Sequence, residues 1–178
     1  MNNTLPSRQQ ALKILREAGC TANVIAHCEA VSKLAVKIAE ACKAKGKNID
    51  LHLVEVGALL HDIGRANTHK INHGIVGAEL ARSKNLPEPI IRIIERHVLA
   101  GITAQEAKEF GLPAQDHLPE TMEEKIITYS DKRVHGQHYV NMDVTIQKLS
   151  RWLGSNHSII KRLKQLHEEI TAIVGEAI

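Results

Sequence analysis

Val-Gly-Ala-Leu-Leu-His-Asp-Ile-Gly, at residues 56–64, is the stretch from which the fold of this chain can be predicted. Asp50 is a suitable N-cap for a helix through this apolar run, and Gly64 suits the left-handed position just beyond its end. His61 then lies in line with the buried stripe of the helix, and Asp62 follows it on the last turn. Because an unpaired buried carboxylate is costly, a bound cation is the simplest partner to expect for Asp62.

Composition restricts the class of protein. A chain of 178 residues suits one domain, residues 1–178, and its 43% apolar but 2% aromatic content predicts an aliphatic core. The net charge of +3 is mild, and so few aromatic residues argue against a protein that stacks nucleic-acid bases. The three cysteines form no CxxC pair, so neither a disulfide framework nor a cysteine zinc site is expected.

Hydropathy gives no sign of a membrane protein. No apolar run approaches the roughly 20 residues that a membrane helix needs. The first residues also lack the apolar region of a signal peptide. We therefore expect a soluble cytoplasmic protein.

Helix signals follow one another along the whole chain. Capping boxes are predicted at Ser7, Thr103 and Thr121, and further N-caps at Thr21 and Asp50. Apolar residues recur with helical spacing after each of these caps, and no segment alternates as a strand would. Two last helices are expected at about 142–153 and 158–175. The sequence therefore predicts an all-α, single-domain helical bundle.

Several of these helices carry a metal-capable residue on an otherwise aliphatic stripe. They are His27, His61 with Asp62, His97 and Asp131. The spacings are too long for a clamp on one helix, so any site must be tertiary and lie inside the bundle. Imidazole and carboxylate without thiolate suit Fe, Mn, Zn, Co, Ni or Mg, which the sequence does not distinguish.

Each of these residues also has an ordinary structural explanation. A single histidine on an apolar face is more often a hydrogen-bonded core residue than a ligand, and Asp131 can pair with Lys132. His73 can simply be a polar residue before a helix. The separate explanations weaken when taken together, because every buried polar residue would need its own partner. One shared metal site would serve all of them.

The order His27, His61-Asp62, Asp131, with Ile63-Gly64 after the pair, resembles the HD superfamily of metal-dependent phosphohydrolases in its HDIG form. The resemblance covers most of the chain, and it implies an HD-domain core at residues 22–135 followed by C-terminal helices at 139–178. Two further positions, at His73 and at His97, are similar to the extended pattern of dinuclear members.

The resemblance implies a divalent metal cofactor of one or two ions and a set of ligands. One metal would be held by His27, His61, Asp62 and Asp131, and Asp62 would bridge to a second held by His73 and His97. Asp62 would be the central catalytic residue, and water activated at the metal would cleave a phosphoester or phosphoanhydride. Phosphomonoesters, phosphodiesters and dinucleoside polyphosphates all stay open as substrates.

The expected partner is a small-molecule phosphate of nucleotide type. Arg65 and Lys70 follow the motif on a polar loop and are candidates to bind its phosphate, although solvated loop charge would look the same. The GYP signature of cyclic-di-GMP phosphodiesterases is missing after His97, which argues against that substrate. Nucleic acid and membrane partners are disfavoured.

Three other functions stay open from the sequence. HD relatives include a di-iron oxygenase with the same ligand types, and a non-catalytic nucleotide-binding HD module is also conceivable. The last predicted helix is basic at Lys161, Arg162 and Lys164, as an RNA-binding helix would be. Its apolar stripe favours packing or a homodimer contact over nucleic acid.

Overall fold

The computed structural model describes residues 4–175, so the first and last three residues of the predicted domain 1–178 lie outside the described residues. Within this range the helices are α1 (Arg8–Glu17), α2 (Ala22–Ala44), α3 (Leu51–Leu60), α4 (His73–Ser83), α5 (Glu88–Arg96), α6 (Ala104–Glu109), α7 (Met122–Lys132), α8 (Met142–Leu153) and α9 (Ser158–Val174). The all-α prediction is confirmed. None of the helices in residues 4–175 combines the length and hydrophobicity that crossing a membrane requires.

Side-chain caps begin these helices where the sequence predicts them. Thr21 accepts a hydrogen bond from the Val24 amide, and Asp50 accepts one from the Leu53 amide at 2.9 Å. Reciprocal capping boxes form at the starts of α1 and α6. Because a cap satisfies backbone amides that the helix leaves free, these side chains determine where each helix begins.

The capping box predicted at Thr121 is only half present. Thr121 accepts from the Glu124 amide, but the Glu124 carboxylate turns away from the Thr121 backbone. It accepts instead from the Glu120 amide at 2.7 Å and from Arg96 at 3.1 Å. A buried carboxylate gains more from an arginine than from one amide, so a tertiary contact overrides the local motif.

A short hairpin departs from the prediction that the chain has no strand. The strands β1 (Val134–His135) and β2 (His138–Tyr139) pair antiparallel through a two-residue turn. Gly136 in this turn has φ +61°, which glycine adopts without steric cost. Strands of two residues are too short to show alternation, so the periodicity of the sequence could not reveal them.

The core is built from aliphatic side chains, as the composition predicts. α2 packs against α3 and α7, and α3 also packs against α5. Large core side chains that are almost fully buried include Ile38, Leu59, Leu60, Ile90, Ile93, Ile94, Ile126 and Ile127. The polar residues described below lie among these helices, so the core surrounds them with low-dielectric material.

α3 ends earlier than the sequence predicts, and Gly64 has a different role. The helix ends at Leu60, and Gly64 lies in a short 3-10 helix, Ile63–Ala66, with no left-handed φ. A Cβ on Gly64 would lie 1.9 Å from the His73 carbonyl oxygen and 2.8 Å from the Gly77 amide nitrogen. Glycine is required here because the backbone of α4 lies against it, not because a helix cap needs it.

The C-terminal helix α9 packs inward. Its apolar stripe is buried, and it contacts α7 and α2. Arg162 donates to the Ala100 carbonyl at 3.0 Å and to the Glu106 carboxylate at 2.6 Å. One of the three basic residues considered for RNA binding is therefore used within the chain, which supports the packing interpretation.

The contact at Gly64 predicts a position-specific loss of stability. Gly64→Ala should lower the free energy of unfolding by about 3 kcal/mol, because the new methyl group overlaps backbone that cannot rotate away. Gly57→Ala is the matched control. Its Cβ would meet only the side-chain ends of Ile93 and Ile127, and alanine favours a helix by roughly 1 kcal/mol over glycine. Urea unfolding of both variants measures the difference, and equal losses would contradict the close-approach explanation.

Candidate metal centre

The structure brings all six predicted ligands to one place. His61 and Asp62 follow α3, His73 is the first residue of α4 and His97 follows α5 directly. His27 lies on α2 and Asp131 on the last turn of α7. His61 is fully buried and His97 is 2% exposed, so the group lies inside the bundle. Residues separated by up to 104 positions therefore form one cluster.

The two oxygens of the Asp62 carboxylate face two different pairs of histidines. Oδ2 lies 4.0 Å from His27 Nε2 and 3.9 Å from His61 Nε2. Oδ1 lies 3.3 Å from His73 Nε2 and 3.4 Å from His97 Nε2. One carboxylate thus joins two groups of possible ligands.

Asp131 adds a second carboxylate to the first of these groups. Its Oδ1 lies 3.0 Å from His27 Nε2 and 3.5 Å from His61 Nε2. The first group therefore contains two imidazoles and two carboxylates, and the second contains two imidazoles and the other oxygen of Asp62. Nitrogen and oxygen donors in this proportion suit a divalent transition metal or a mixed pair of ions.

Backbone hydrogen bonds orient all four histidine rings in the same way. In each ring Nδ1 lies within hydrogen-bond distance of a carbonyl oxygen, which can only accept. The acceptors are the carbonyls of Gly136, Ala58, Lys70 and Ile94, at 2.9, 2.7, 2.7 and 2.7 Å from His27, His61, His73 and His97 respectively. Nδ1 therefore carries the proton, and a neutral ring presents the Nε2 lone pair to the centre.

The Nε2 lone pairs that point into the centre repel one another, whereas a cation would attract all of them. His61 Nε2 is buried and makes no hydrogen bond to any of residues 4–175. His73 Nε2 and His97 Nε2 lie 3.1 Å apart, and two lone pairs at that distance repel each other. A buried polar atom without a partner costs free energy, which a metal ion at this point would recover. The residues present thus fit one or two divalent cations.

The electrostatics keep His73 and His97 in the protonation state that a metal ligand needs. Burial, together with the charge of His97, lowers the pKa of His73 to about 3. Burial also lowers the pKa of His97. Both imidazoles are therefore neutral at pH 7, as a ligand must be.

The two carboxylates stay ionised despite their burial. Burial alone would raise the pKa of Asp62, but His61 and His97 hold it well below its usual value. Burial acts the same way on Asp131, where Lys132 and His27 hold the pKa down. Lys132 also forms a close ion pair with Asp131. Both carboxylates are thus negative ligands over the physiological pH range.

Arg65 and Lys70 are placed differently from each other. The Arg65 Nε donates to both Asp62 oxygens, at 3.2 and 3.3 Å, and its Nη1 donates to the His69 carbonyl at 2.9 Å. The Lys70 side chain is exposed, whereas its carbonyl accepts the proton of His73. Arg65 therefore touches the centre directly, and Lys70 acts there through its backbone.

A cavity of about 530 Å³ opens onto the centre. His27, Asp62 and Asp131 line it on one side, and its other lining residues include Arg65, His69, Lys132, His135 and Lys148. From the sequence, Lys132 was considered only as a neighbour of Asp131, and no pattern indicated that His135 or Lys148 would line a cavity. Those two lie on the hairpin and on α8, whose positions depend on tertiary packing.

Comparison with known proteins places this arrangement in a family. The family model described as "HD domain" matches residues 24–134, more than half of the chain. The uncharacterized protein MJ0778 of Methanocaldococcus jannaschii is 47% identical over 93% of this chain and 98% of its own length. A tRNA (cytidine(56)-2'-O)-methyltransferase of Picrophilus torridus is 41% identical over 96% of this chain but 48% of its own, so this chain spans about half of that enzyme.

A solved structure supports the fold. The HD domain of the phosphodiesterase PgpH from L. monocytogenes, in complex with cyclic-di-AMP, aligns with a TM-score of 0.50 and 23% identity. The alignment covers 95% of this chain and 99% of that one. The family match and the shared helical architecture agree with the resemblance found in the sequence, and the chain belongs to the HD-domain family.

Proposed function

We propose that this protein is a metal-dependent phosphohydrolase that cleaves a phosphoester or phosphoanhydride of a nucleotide-type substrate. One or two divalent cations would be held by His27, His61, Asp62, His73, His97 and Asp131. The observation that carries the proposal is the Asp62 carboxylate, whose two oxygens face two separate histidine pairs. A carboxylate shared between two groups of imidazoles is an arrangement suited to two adjacent metal ions.

The residues of the chain would hold the cations and keep the ligands in place for the reaction. When bound, the cations supply Lewis acidity, which polarises a phosphoryl oxygen and lowers the pKa of water towards roughly 7. The Nδ1 hydrogen bonds hold the imidazoles rigidly, so little reorganisation is needed on binding. Asp62 would be central because it belongs to both ligand groups. Arg65 would hold the Asp62 carboxylate in place from the solvent side.

Positive charge around the cavity would bind the phosphate. Arg65, Lys132 and Lys148 line the same cavity as the candidate ligands. An arginine fork and lysine ammonium groups are the usual partners of phosphoryl oxygens. These charges favour hydrolysis of an anionic substrate over the di-iron oxygenase alternative, which needs the same ligands but no such charges. Since all six ligand positions are filled by metal-capable residues, catalysis is also favoured over a binding-only HD module.

The name of one relative widens the substrate range to be tested. The Picrophilus enzyme is named for an activity on tRNA, and this chain matches about half of its length. The metal-capable cluster gives no reason to carry methyl transfer over to this chain. An RNA phosphodiester should nevertheless be included among the compounds to be tested as substrates, beside nucleotides, cyclic dinucleotides and dinucleoside polyphosphates.

Metal content should depend on the motif. Protein prepared with excess Mn²⁺, Zn²⁺ or Fe²⁺ should retain one or two ions per chain, measured by plasma emission after desalting. His61→Ala and Asp62→Ala should each lose most of this metal, because both remove donors from a buried group. His52→Ala, an exposed histidine on α3, is the matched control and should keep wild-type content. If the wild type retains no divalent metal when metal is plentiful, the proposed function is wrong.

Activity should follow the metal. The metal-loaded protein should hydrolyse bis(p-nitrophenyl)phosphate or members of a nucleotide and RNA panel. A chelator should abolish the activity, and added metal should restore it. An oxygen electrode under the same conditions tests the oxygenase alternative. Metal binding together with oxygen consumption and intact phosphates would reject hydrolysis and leave the site assignment standing.

Arg65 and Lys70 should differ in their effect on catalysis. Arg65→Ala should lower kcat/KM about 10- to 100-fold, because it removes a charged hydrogen bond to Asp62 and a phosphate donor. Lys70→Ala should lower kcat/KM by only about threefold, since its exposed side chain makes no hydrogen bond or ion pair with the candidate ligands. Steady-state kinetics on the best substrate measures both. Equal effects would show that the two residues act only as general positive charge.

A further inference from the structure

We propose that Trp152 forms a subsite that binds the base of a nucleotide next to the metal centre. The inference rests on the proposed function and deepens it by assigning a binding place to the base of the nucleotide-type substrate. The side chain that carries it belongs to the only tryptophan of the chain.

Trp152 is an exposed aromatic residue held in a defined orientation. It lies near the end of α8 and is 59% exposed. Phe110 stacks against one face of the indole, with ring centroids 6.0 Å apart and an interplanar angle of 21°. Among residues 4–175, no other aromatic or imidazole ring stacks on the indole. The indole is therefore supported from one side, and much of its surface is left in contact with solvent.

The cavity beside Trp152 leads to the candidate metal ligands. This cavity, of about 270 Å³, is lined by Trp152 together with Asp131 and His73. Arg65, Lys70 and Lys132 also line it. Arg65, His69 and Lys132 line the larger cavity over the centre as well, so the two spaces adjoin. A molecule with its phosphate at the centre can thus extend towards the indole.

The chemistry of these walls matches the two halves of a nucleotide. Cationic side chains and the metal centre suit the phosphate, and a flat aromatic surface suits a base. Stacking of a base on an aromatic side chain strengthens binding about fivefold to hundredfold and tolerates different bases, because every base has a π-face. A sugar phosphate or an inorganic polyphosphate has no aromatic ring that could stack on the indole. The ligand class is therefore a nucleotide, with weak discrimination among bases.

A second copy of this chain is the alternative occupant of the exposed indole. Val144 on the same helix is also exposed, but the surroundings of Trp152 include Lys70, Lys132 and Arg65. Lysine is depleted in the cores of protein interfaces, and like charges from two copies would repel. The charge around the indole therefore favours an anionic nucleotide over a homodimer contact.

Intrinsic fluorescence reports on this subsite alone, because the chain has one tryptophan. Adenosine 5′-monophosphate should quench the emission in a saturable way, with metal present and again with a chelator. Ribose 5-phosphate and inorganic phosphate carry the charge without the base, and they should change the emission much less. An equal response to all three compounds, or none to adenosine 5′-monophosphate, would overturn the subsite.

Affinity measurements on variants separate stacking from general charge. By calorimetry, Trp152→Ala should weaken the Kd for adenosine 5′-monophosphate about fivefold to hundredfold and leave the Kd for ribose 5-phosphate unchanged. Trp152→Phe should retain most of the affinity, since phenylalanine also stacks. Val144→Ala, an exposed change on the same helix that lines neither cavity, is the matched control and should behave as wild type.

The outcomes distinguish the subsite from the proposed function. Wild-type affinity for adenosine 5′-monophosphate in Trp152→Ala, with metal content and hydrolysis intact, overturns the subsite alone. Trp152-dependent binding in a protein that hydrolyses no phosphate supports the subsite and overturns the hydrolase. If Trp152→Ala dissociates a dimer on a sizing column without changing nucleotide affinity, the homodimer is the occupant and the subsite is wrong.

Discussion

The structure depends on one constraint, which is that four imidazole lone pairs and two carboxylates point at one another inside an aliphatic core. Each Nδ1 donates to a backbone carbonyl, so in the neutral form of every ring the lone pair of Nε2 faces the centre. The packing of the surrounding core holds these groups together. Burial lowers the pKa of His73 to about 3 and also lowers the pKa of His97, so these two rings stay neutral and ready to bind a metal.

The half of the centre that contains His73 depends on a contact between two glycines. Gly64 and Gly77 bring the turn after α3 against α4, and a Cβ on Gly77 would lie 3.0 Å from the Gly64 amide nitrogen. His73 begins α4, so this approach sets its distance from Asp62. The glycine that follows the His-Asp pair therefore serves the ligand geometry through packing. Its mutation is expected to affect stability and the centre together.

Several candidate substrate contacts lie outside the part of the chain that holds the candidate metal ligands. All six ligand positions lie within residues 24–134, the region that matches the HD-domain model. His135, Lys148 and Trp152 lie beyond it, on the hairpin and on α8. The hairpin also carries the Gly136 carbonyl that orients His27, so it links the two parts. The substrate proposals thus rest in part on elements outside the matched region.

The sequence by itself determined the helical class and most helix starts, because caps and helical period are local signals, and its resemblance to the HD superfamily indicated the six residues that converge. It misplaced the end of α3 and the role of Gly64, and it missed the hairpin, since two-residue strands have no periodicity. Only the tertiary structure decided that the Asp62 oxygens face different histidines, that Arg65 but not Lys70 reaches that carboxylate, and that Lys148 and Trp152 line the cavities. These depend on side chains distant in sequence, whose meeting is set by how the helices pack.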